Sequence, residues 1–127
     1  MRLLLDTHSF IWWDSAPDRL PEATRVALSD PANEVLLSVV VLWEMQIKRT
    51  IGKLELWAPL AALIEDQEAN DVHVLPVTVQ HVLALGALPL DHRDPFDRLL
   101  VAQAQVEEAL LVTRDSALAD YPVKTLW

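Results

Sequence analysis

Four acidic side chains, in four separate segments, are the residues of this chain most able to do chemistry. They are Asp6, Glu44, Asp97 and Asp115. Each has mainly apolar neighbours in the sequence, and a carboxylate buried without a partner is costly, so a partner is expected for each. Carboxylate oxygens suit hard cations such as Mg²⁺ or Mn²⁺. Such a cation in turn suits the hydrolysis of a phosphodiester bond.

Each acid also has an ordinary structural interpretation. Asp6 can cap a helix, Asp97 can complement a helix dipole, and Asp115 can cap the turn that follows it. Glu44 can pair with Lys48. The four acids together, in a repeated strand–helix order, favour one shared site over four unrelated roles.

Length, charge and composition narrow the class of protein. The chain has 127 residues, no cysteine and a net charge of −9. This length predicts one domain, residues 1–127, with one core. We expect a cytoplasmic protein without membrane association, since there is no signal-peptide pattern, no apolar run of roughly 18 residues and no disulfide. The acidic charge argues against a protein that coats nucleic acid generally, but it leaves room for a basic partner.

The sequence predicts strands and helices in alternation. Strands are expected at residues 2–6, 34–37, 72–77 and 110–113, with an edge strand at 124–127. Helices are expected at 8–13 (capped by Thr7), 21–28, 39–51 (capped by Ser38 and ended by Gly52), 60–70, 78–85 and 95–108 (capped by Asp94). This alternation predicts an α/β domain whose mostly parallel sheet is covered on both faces.

The predicted elements bring the acids together. Sites in open parallel sheets form at the carboxyl ends of the strands, where Asp6 and Asp115 are expected. Helical spacing places Glu44 and Asp97 on apolar faces, so both should point inward. The apolar residues that share these faces are Val40, Ile47 and Ile51 for Glu44, and Leu100, Val101 and Ala104 for Asp97. A divalent cation would relieve the repulsion among four converging carboxylates.

Several segments, in this order, resemble the PIN domain and, more narrowly, the VapC ribonuclease toxins of type II toxin–antitoxin modules. They are Leu3-Leu4-Leu5-Asp6-Thr7-His8, Trp43-Glu44, the run His92-Arg93-Asp94-Pro95-Phe96-Asp97-Arg98-Leu99-Leu100-Val101-Ala102-Gln103-Ala104, and Thr113-Arg114-Asp115. The resemblance implies a three-layer α/β/α sandwich with a central, mostly parallel sheet. It implies a Mg²⁺- or Mn²⁺-dependent endoribonuclease that acts on RNA, forms a homodimer and is restrained by a cognate VapB antitoxin.

The resemblance also assigns roles to individual residues. Asp6, Glu44 and Asp97 match the three core acids, and Asp115 matches a fourth that varies more across the family. Asp94 competes for the third position, but its place directly before Pro95 favours capping.

Water is expected to attack phosphorus in line, leaving a 3′-hydroxyl and a 5′-phosphate. Five supporting residues are expected to pair with the acids, contact RNA or orient ligands, with simple capping as the alternative for the threonines. They are Thr7, His92, Arg98, Thr113 and Arg114.

The five tryptophans are expected to lie mostly in the core. One or two of them can instead line a groove for the partner, whose basic, apolar segment is expected near Trp12, Trp43 and Ile47.

Other functions compete with the ribonuclease toxin as interpretations of the sequence. A receiver-type signalling domain needs an acid at the end of the third strand, and residues 72–77 supply none. A catalytically silent PIN module would be expected to lack a core acid, and none is missing. A PIN nuclease that is not a toxin remains an alternative, and DNA is a chemically acceptable substrate.

Overall fold

A parallel sheet forms the centre of the molecule in the computed structural model, which describes residues 1–90 and 94–127. The described residues contribute the strands β1 (Arg2–Leu5), β2 (Glu34–Ser38), β3 (His73–Leu75), β4 (Leu110–Val112) and β5 (Thr125–Leu126). Their order is β3-β2-β1-β4-β5, and every neighbouring pair is parallel. The parallel sheet and the edge strand are as predicted, and β3 is shorter than predicted.

Helices connect the strands. They are α1 (Thr7–Ser15), α2 (Glu22–Ser29), α3 (Val39–Thr50), α4 (Leu60–Ala69), α5 (Val79–Leu85) and α6 (Pro95–Val106). Two short 3₁₀ helices, Pro17–Arg19 and Ser116–Asp120, were not predicted. Across residues 1–90 and 94–127, no helix has both the length and the apolar character that a membrane crossing requires.

Strand order explains the three layers. The chain moves outward from β1 to β2 and β3, and then returns across the sheet to β4 on the other side of β1. Because crossovers between parallel strands are right-handed, this reversal places α1 to α4 on one face and α5 and α6 on the other. The α/β sandwich predicted from the sequence is therefore confirmed.

The core is built around the central strand. Leu3, Leu4 and Leu5 are all fully buried, as expected of a strand covered on both faces. In the sheet register Leu4 lies between Leu36 and Leu111. Full burial of a leucine stabilises the fold by about 1.5–3 kcal/mol, so β1 alone anchors a large part of the core.

Helix ends follow the predicted capping residues, with one exception. The Ser38 hydroxyl accepts a hydrogen bond from the Val40 N–H at 3.0 Å, and Gly52 ends α3 with a φ of 77°. The prediction that Thr7 caps α1 is wrong, because Asp6 caps it one residue earlier. Thr7 is then the first residue of the helix, and its hydroxyl is directed elsewhere.

Two predictions of burial are wrong. Ile47 is 37% exposed and Ile51 is 58% exposed, although both share a helical face with the buried Val40 and Glu44. The tryptophans do not lie mostly in the core either. Trp43 is 56% exposed, and the remaining four are only partly covered. Among the described residues, no segment packs closely enough over this part of α3 to bury it.

Candidate active site at the carboxyl edge of the sheet

The crevice between β1 and β4 is the point where the chain changes direction in the sheet. The connection after β1 leads towards β2, and the one after β4 leads towards β5. Ligands bind in open α/β sheets outside the strand ends at such a point. Asp6 follows β1 directly and Asp115 lies shortly beyond β4, and both line one cavity of about 460 Å³.

Asp6 is the more deeply placed of these two acids, with 9% of its surface exposed. Its N–H donates to the Val112 carbonyl at 3.1 Å, which ties the end of β1 to β4. Its Oδ1 accepts the Ser9 N–H at 2.8 Å. The second oxygen, Oδ2, accepts no hydrogen bond from any residue in the described ranges. A carboxylate oxygen without a donor, on a side chain that lines a cavity, is a fitting ligand for a cation.

Glu44 is equally buried, at 9% exposure, so the prediction that its side chain points inward is confirmed. Its Oε1 accepts the Thr7 hydroxyl at 2.7 Å, which links α3 to the residue after Asp6. Its Oε2 lies 2.6 Å from the Lys48 ammonium, one helical turn further along. This buried carboxylate is therefore already paired with a cationic side chain.

Asp97 lies half-buried in the first turn of α6. Its N–H donates to Oδ1 of Asp94 at 3.2 Å, and the same oxygen accepts the Phe96 N–H at 2.9 Å. Capping of α6 by Asp94 is therefore confirmed. Phe96 packs edge-on against Trp43, with ring centroids 4.8 Å apart, which brings the turn carrying Asp97 beside α3.

Asp115 is exposed and caps the following 3₁₀ helix, since its Oδ1 accepts the Ala117 N–H at 2.9 Å. The capping role that the sequence allowed for this acid is thus present. Its own N–H donates to the hydroxyl of the buried Thr113 at 3.0 Å. Thr113 thereby fixes the backbone that carries Asp115.

The two arginines that the sequence predicts as supporting residues lie in different surroundings. Arg98 donates to the carbonyl of Pro89 at 2.5 Å and to the hydroxyl of Tyr121 at 3.3 Å, so it ties the preceding loop to α6. Arg114 lies over the ring of Trp12, 5.3 Å from its centroid, beside the cavity. His92, the fifth supporting residue, falls outside the described ranges.

Among the described residues, the four acids do not form one closed cluster. Asp6 and Asp115 share the cavity, and the neighbouring α3 and α6 carry Glu44 and Asp97. Within residues 1–90 and 94–127, no three histidine, aspartate or glutamate side chains are arranged to hold a metal ion. Convergence of all four acids on one cation therefore stays a prediction.

A buried polar network that the sequence did not reveal holds α3 against α6. Gln103 is fully buried, and its Oε1 accepts the Ser38 hydroxyl at 2.5 Å. Its Nε2 donates to the carbonyl of Pro76 at 3.3 Å. Since Ser38 also caps α3, one glutamine joins the start of the Glu44 helix to the Asp97 helix. In the sequence, the signal for this network is Gln103 itself, a polar residue within the otherwise apolar run 99–104.

The chain matches the family model of the PIN domain over residues 3–124. It is 30% identical to ribonuclease VapC22 of Mycobacterium tuberculosis over 130 residues, covering 98% of both chains. The fold is similar to VapBC2 of Rickettsia felis bound to a promoter DNA fragment, with a TM-score of 0.73, 18% identity and coverage of 100% and 98% of the two chains. It is also similar to VapBC-1 of nontypeable Haemophilus influenzae, with a TM-score of 0.66, 21% identity and coverage of 99% and 97%.

The chain therefore belongs to the PIN-domain family and, within it, to the VapC ribonucleases. The resemblance drawn from the sequence is confirmed. PIN-domain ribonucleases are metal-dependent as a class. The residues present fit a hard divalent cation, because the available donors are carboxylate oxygens and Glu44 already binds an ammonium group.

Proposed function

We propose that this protein is the metal-dependent endoribonuclease toxin of a type II toxin–antitoxin pair. The observation that carries the proposal is Asp6, a nearly buried carboxylate with one oxygen lacking a hydrogen-bond donor, at the switch point of a PIN fold. A carboxylate that served only as a cap would gain nothing from this burial. Asp115 opens onto the same cavity, which gives a substrate access to it.

The acids would hold Mg²⁺ or Mn²⁺, with Asp6, Glu44 and Asp97 as the principal ligands and Asp115 as a further one. When bound, the cation supplies polarisation of the phosphodiester and a water of lowered pKa. Thr7 orients Glu44 through its hydroxyl, and Thr113 holds the backbone of Asp115. Such supporting bonds fix ligand carboxylates in position. For the cation to reach Glu44, the Lys48 ammonium moves aside.

RNA is the proposed substrate and a VapB-type antitoxin the proposed partner, both acting in the cytoplasm. The net charge of −9 favours a basic partner segment. The exposed apolar side chains of Trp43 and Ile47 on α3, and of Ile51 just after it, give that segment a surface to cover. An arginine of the segment would pair with the site acids and displace the cation.

A homodimer is proposed on a second surface, the outer face of α5. Val79, Val82 and Leu83 are exposed by 70%, 54% and 72%, and this short helix carries no acidic or basic residue apart from the buried His81. A face without charge suits contact between two copies of a strongly acidic chain, because like charges would repel elsewhere.

Cleavage of RNA by the purified protein tests the proposal. Hydrolysis is expected with Mg²⁺ or Mn²⁺ and should stop in EDTA. Thr50→Ala, on the exposed end of α3, is a matched control that removes a side chain of the same helix without touching the acids. Absence of cleavage with any divalent ion, in folded protein, would favour the catalytically silent PIN module.

Expression in a bacterial host separates a toxin from another PIN nuclease. Wild-type protein should arrest growth, and co-expression of the VapB-type antitoxin should relieve the arrest. The Asp6→Asn, Asp97→Asn double variant should grow normally. Cleavage of RNA in vitro without any growth arrest would favour the PIN nuclease that is not a toxin.

A further inference from the structure

The cavity shared by Asp6 and Asp115 has a second wall that the proposed metal chemistry does not use. This wall is formed by His8, Trp12, Arg114, Ser116 and Trp127. Its aromatic and cationic groups lie beside the acids, in a cavity of about 460 Å³, a size typical of small-ligand sites. The cavity therefore has room for a group larger than a cation.

The two indole rings of this wall differ in what already covers them. Their centroids lie 5.8 Å apart at an angle of 50°. The ring of Trp12 is covered by the guanidinium groups of Arg19 and Arg114, at 5.7 and 5.3 Å from its centroid. Trp127 is 37% exposed. Trp127 is thus the more exposed of the two tryptophans and the better placed to receive a ligand.

The backbone directly before Trp127 is tied to the segment that carries Asp115. Trp127 follows β5, where the carbonyl of Leu126 accepts the Thr113 N–H at 3.1 Å. Thr113 is the residue whose hydroxyl binds the backbone of Asp115. The end of β4 therefore anchors both Asp115 and the residue before Trp127.

We propose that this cavity binds one unpaired nucleobase of the RNA, which stacks on Trp127 while the Arg114 guanidinium contacts an adjacent phosphate. The inference rests on the proposed ribonuclease function and specifies what the site grips. Stacking on an aromatic side chain accepts any base, and it requires a base that is not already stacked within a duplex.

Charge on this wall favours RNA as its occupant. Arg114 lines the cavity and attracts an RNA phosphate. The same guanidinium repels a basic protein segment from this wall, whereas the acids of the cavity remain available to an arginine of the antitoxin. The exposed apolar side chains of α3 offer the antitoxin its main surface.

Steady-state cleavage of an unstructured RNA of about ten nucleotides tests the stacking surface. Trp127→Ala should raise KM by about 5- to 100-fold, the range expected for loss of one stacked base. Trp127→Phe, which keeps a ring, should recover most of this loss. The kcat should stay within a factor of about 3, because no group at the reacting atoms has changed. Trp57→Ala, the same change at a tryptophan outside the cavity, should leave KM unchanged.

Position and charge can be tested separately. Bases can be removed from the oligonucleotide one at a time. Loss of the base at one position should weaken cleavage by the wild type, and loss of the same base should not affect cleavage by Trp127→Ala. Arg114→Gln should raise KM and lower the slope of log KM against log salt by about 1, as expected for one lost phosphate contact.

Binding without cleavage keeps the two proposals distinguishable. In Asp97→Asn, the same oligonucleotide should quench tryptophan fluorescence, and adding Trp127→Phe should remove part of the quenching. If wild-type protein does not cleave RNA but quenching remains, the nuclease proposal fails and the base site stands. The base site is overturned if KM is unchanged in both Trp127→Ala and Arg114→Gln. It is also overturned if these variants lose antitoxin binding while RNA cleavage is unaffected. If Trp127→Ala does not fold, Trp127→Phe and Arg114→Gln decide the question.

Discussion

Glu44 and Glu107 are two partly or fully buried glutamates that are neutralised in different ways. Glu107, at the end of α6, accepts from Arg2 at 3.1 Å and from the Nε2 of His81 at 2.8 Å. Both partners come from distant segments, and His81 is fully buried. Glu44 has its cation on the same helix, and that lysine is 37% exposed.

The difference separates a structural carboxylate from one available for a ligand. Arg2 is itself held by Glu34 at 3.1 Å, and the Nδ1 of His81 accepts the Thr78 N–H at 3.0 Å. These partners cannot leave Glu107 without breaking other bonds. Lys48 can move into solvent when a bound cation takes its place beside Glu44, because the lysine side chain is 37% exposed and its partner lies on the same helix. A buried acid with a removable partner is therefore the better candidate for metal binding.

The largest expected effect is on catalysis. Asp97→Asn and Glu44→Gln should each reduce RNA cleavage by at least about 100-fold, since even residues that only support metal ligands cost 10- to 100-fold. Glu107→Gln should change cleavage by a factor of no more than about 3. Initial rates at saturating Mn²⁺ measure this, and similar losses in all three variants would break the distinction between the two glutamates.

For stability, the ranking of the two glutamates should be reversed, with the Glu107 network contributing more than Glu44. His81→Ala removes a fully buried side chain, leaves the Thr78 N–H without its partner and leaves Glu107 with Arg2 alone. The free energy of unfolding should fall by about 2–4 kcal/mol. Urea unfolding checks this, with Glu44→Gln as the matched comparison, which should lose less than His81→Ala.

An effect of intermediate size is expected for the two aspartates at the start of α6. Asp94→Ala removes the cap and should cost about 1 kcal/mol of unfolding free energy, while Asp94→Asn should cost only a few tenths. Neither should abolish cleavage in folded protein. An inactive Asp94→Asn beside an active Asp97→Asn would instead show that Asp94 is the third metal ligand.

Acidification should weaken the Glu107 network. The hydrogen bond from His81 lowers the pKa of Glu107 below its ordinary value of 4.5, and Arg2 lowers it further, against the opposing effect of burial. Stabilisation by a carboxylate of lowered pKa is complete above the unfolded pKa and is lost as pH falls through the folded one. The difference in melting temperature between wild type and Glu107→Gln should therefore shrink below about pH 4.5. A difference that is constant with pH would contradict the pairing.

Lys48 gives the last test of the comparison. Lys48→Gln removes the cation beside the nearly buried Glu44 and should lower the unfolding free energy by about 1–3 kcal/mol, the cost of leaving a buried acceptor without its partner. The same change should strengthen Mn²⁺ binding, measured by calorimetry, because the ammonium no longer competes for the carboxylate. Weaker Mn²⁺ binding would show that Lys48 supports the site rather than blocking it.

The sequence predicted the elements well because their signals are local. Apolar runs mark the strands, and Ser38 and Asp94 mark the helix starts at which they are found. Helical spacing correctly grouped Glu44 with Ile47 but could not tell that Ile47 is exposed, since burial depends on what another segment covers. Asp6 and Thr7 are both good caps, and their order along the chain does not decide between them. The Ser38–Gln103 bond joins residues far apart in sequence, so no local pattern shows it.

The pairing of β1 with β4 has a consequence for synthesis of the protein. Leu3 pairs with Leu110, so the crevice that holds Asp6 and Asp115 lacks one wall until β4 has left the ribosome. Contacts so distant in sequence form late, because a long loop must close first. A ribosome translating this chain is therefore exposed to no assembled nuclease before β4 has been synthesised, which leaves time for an antitoxin to be present when the activity first exists.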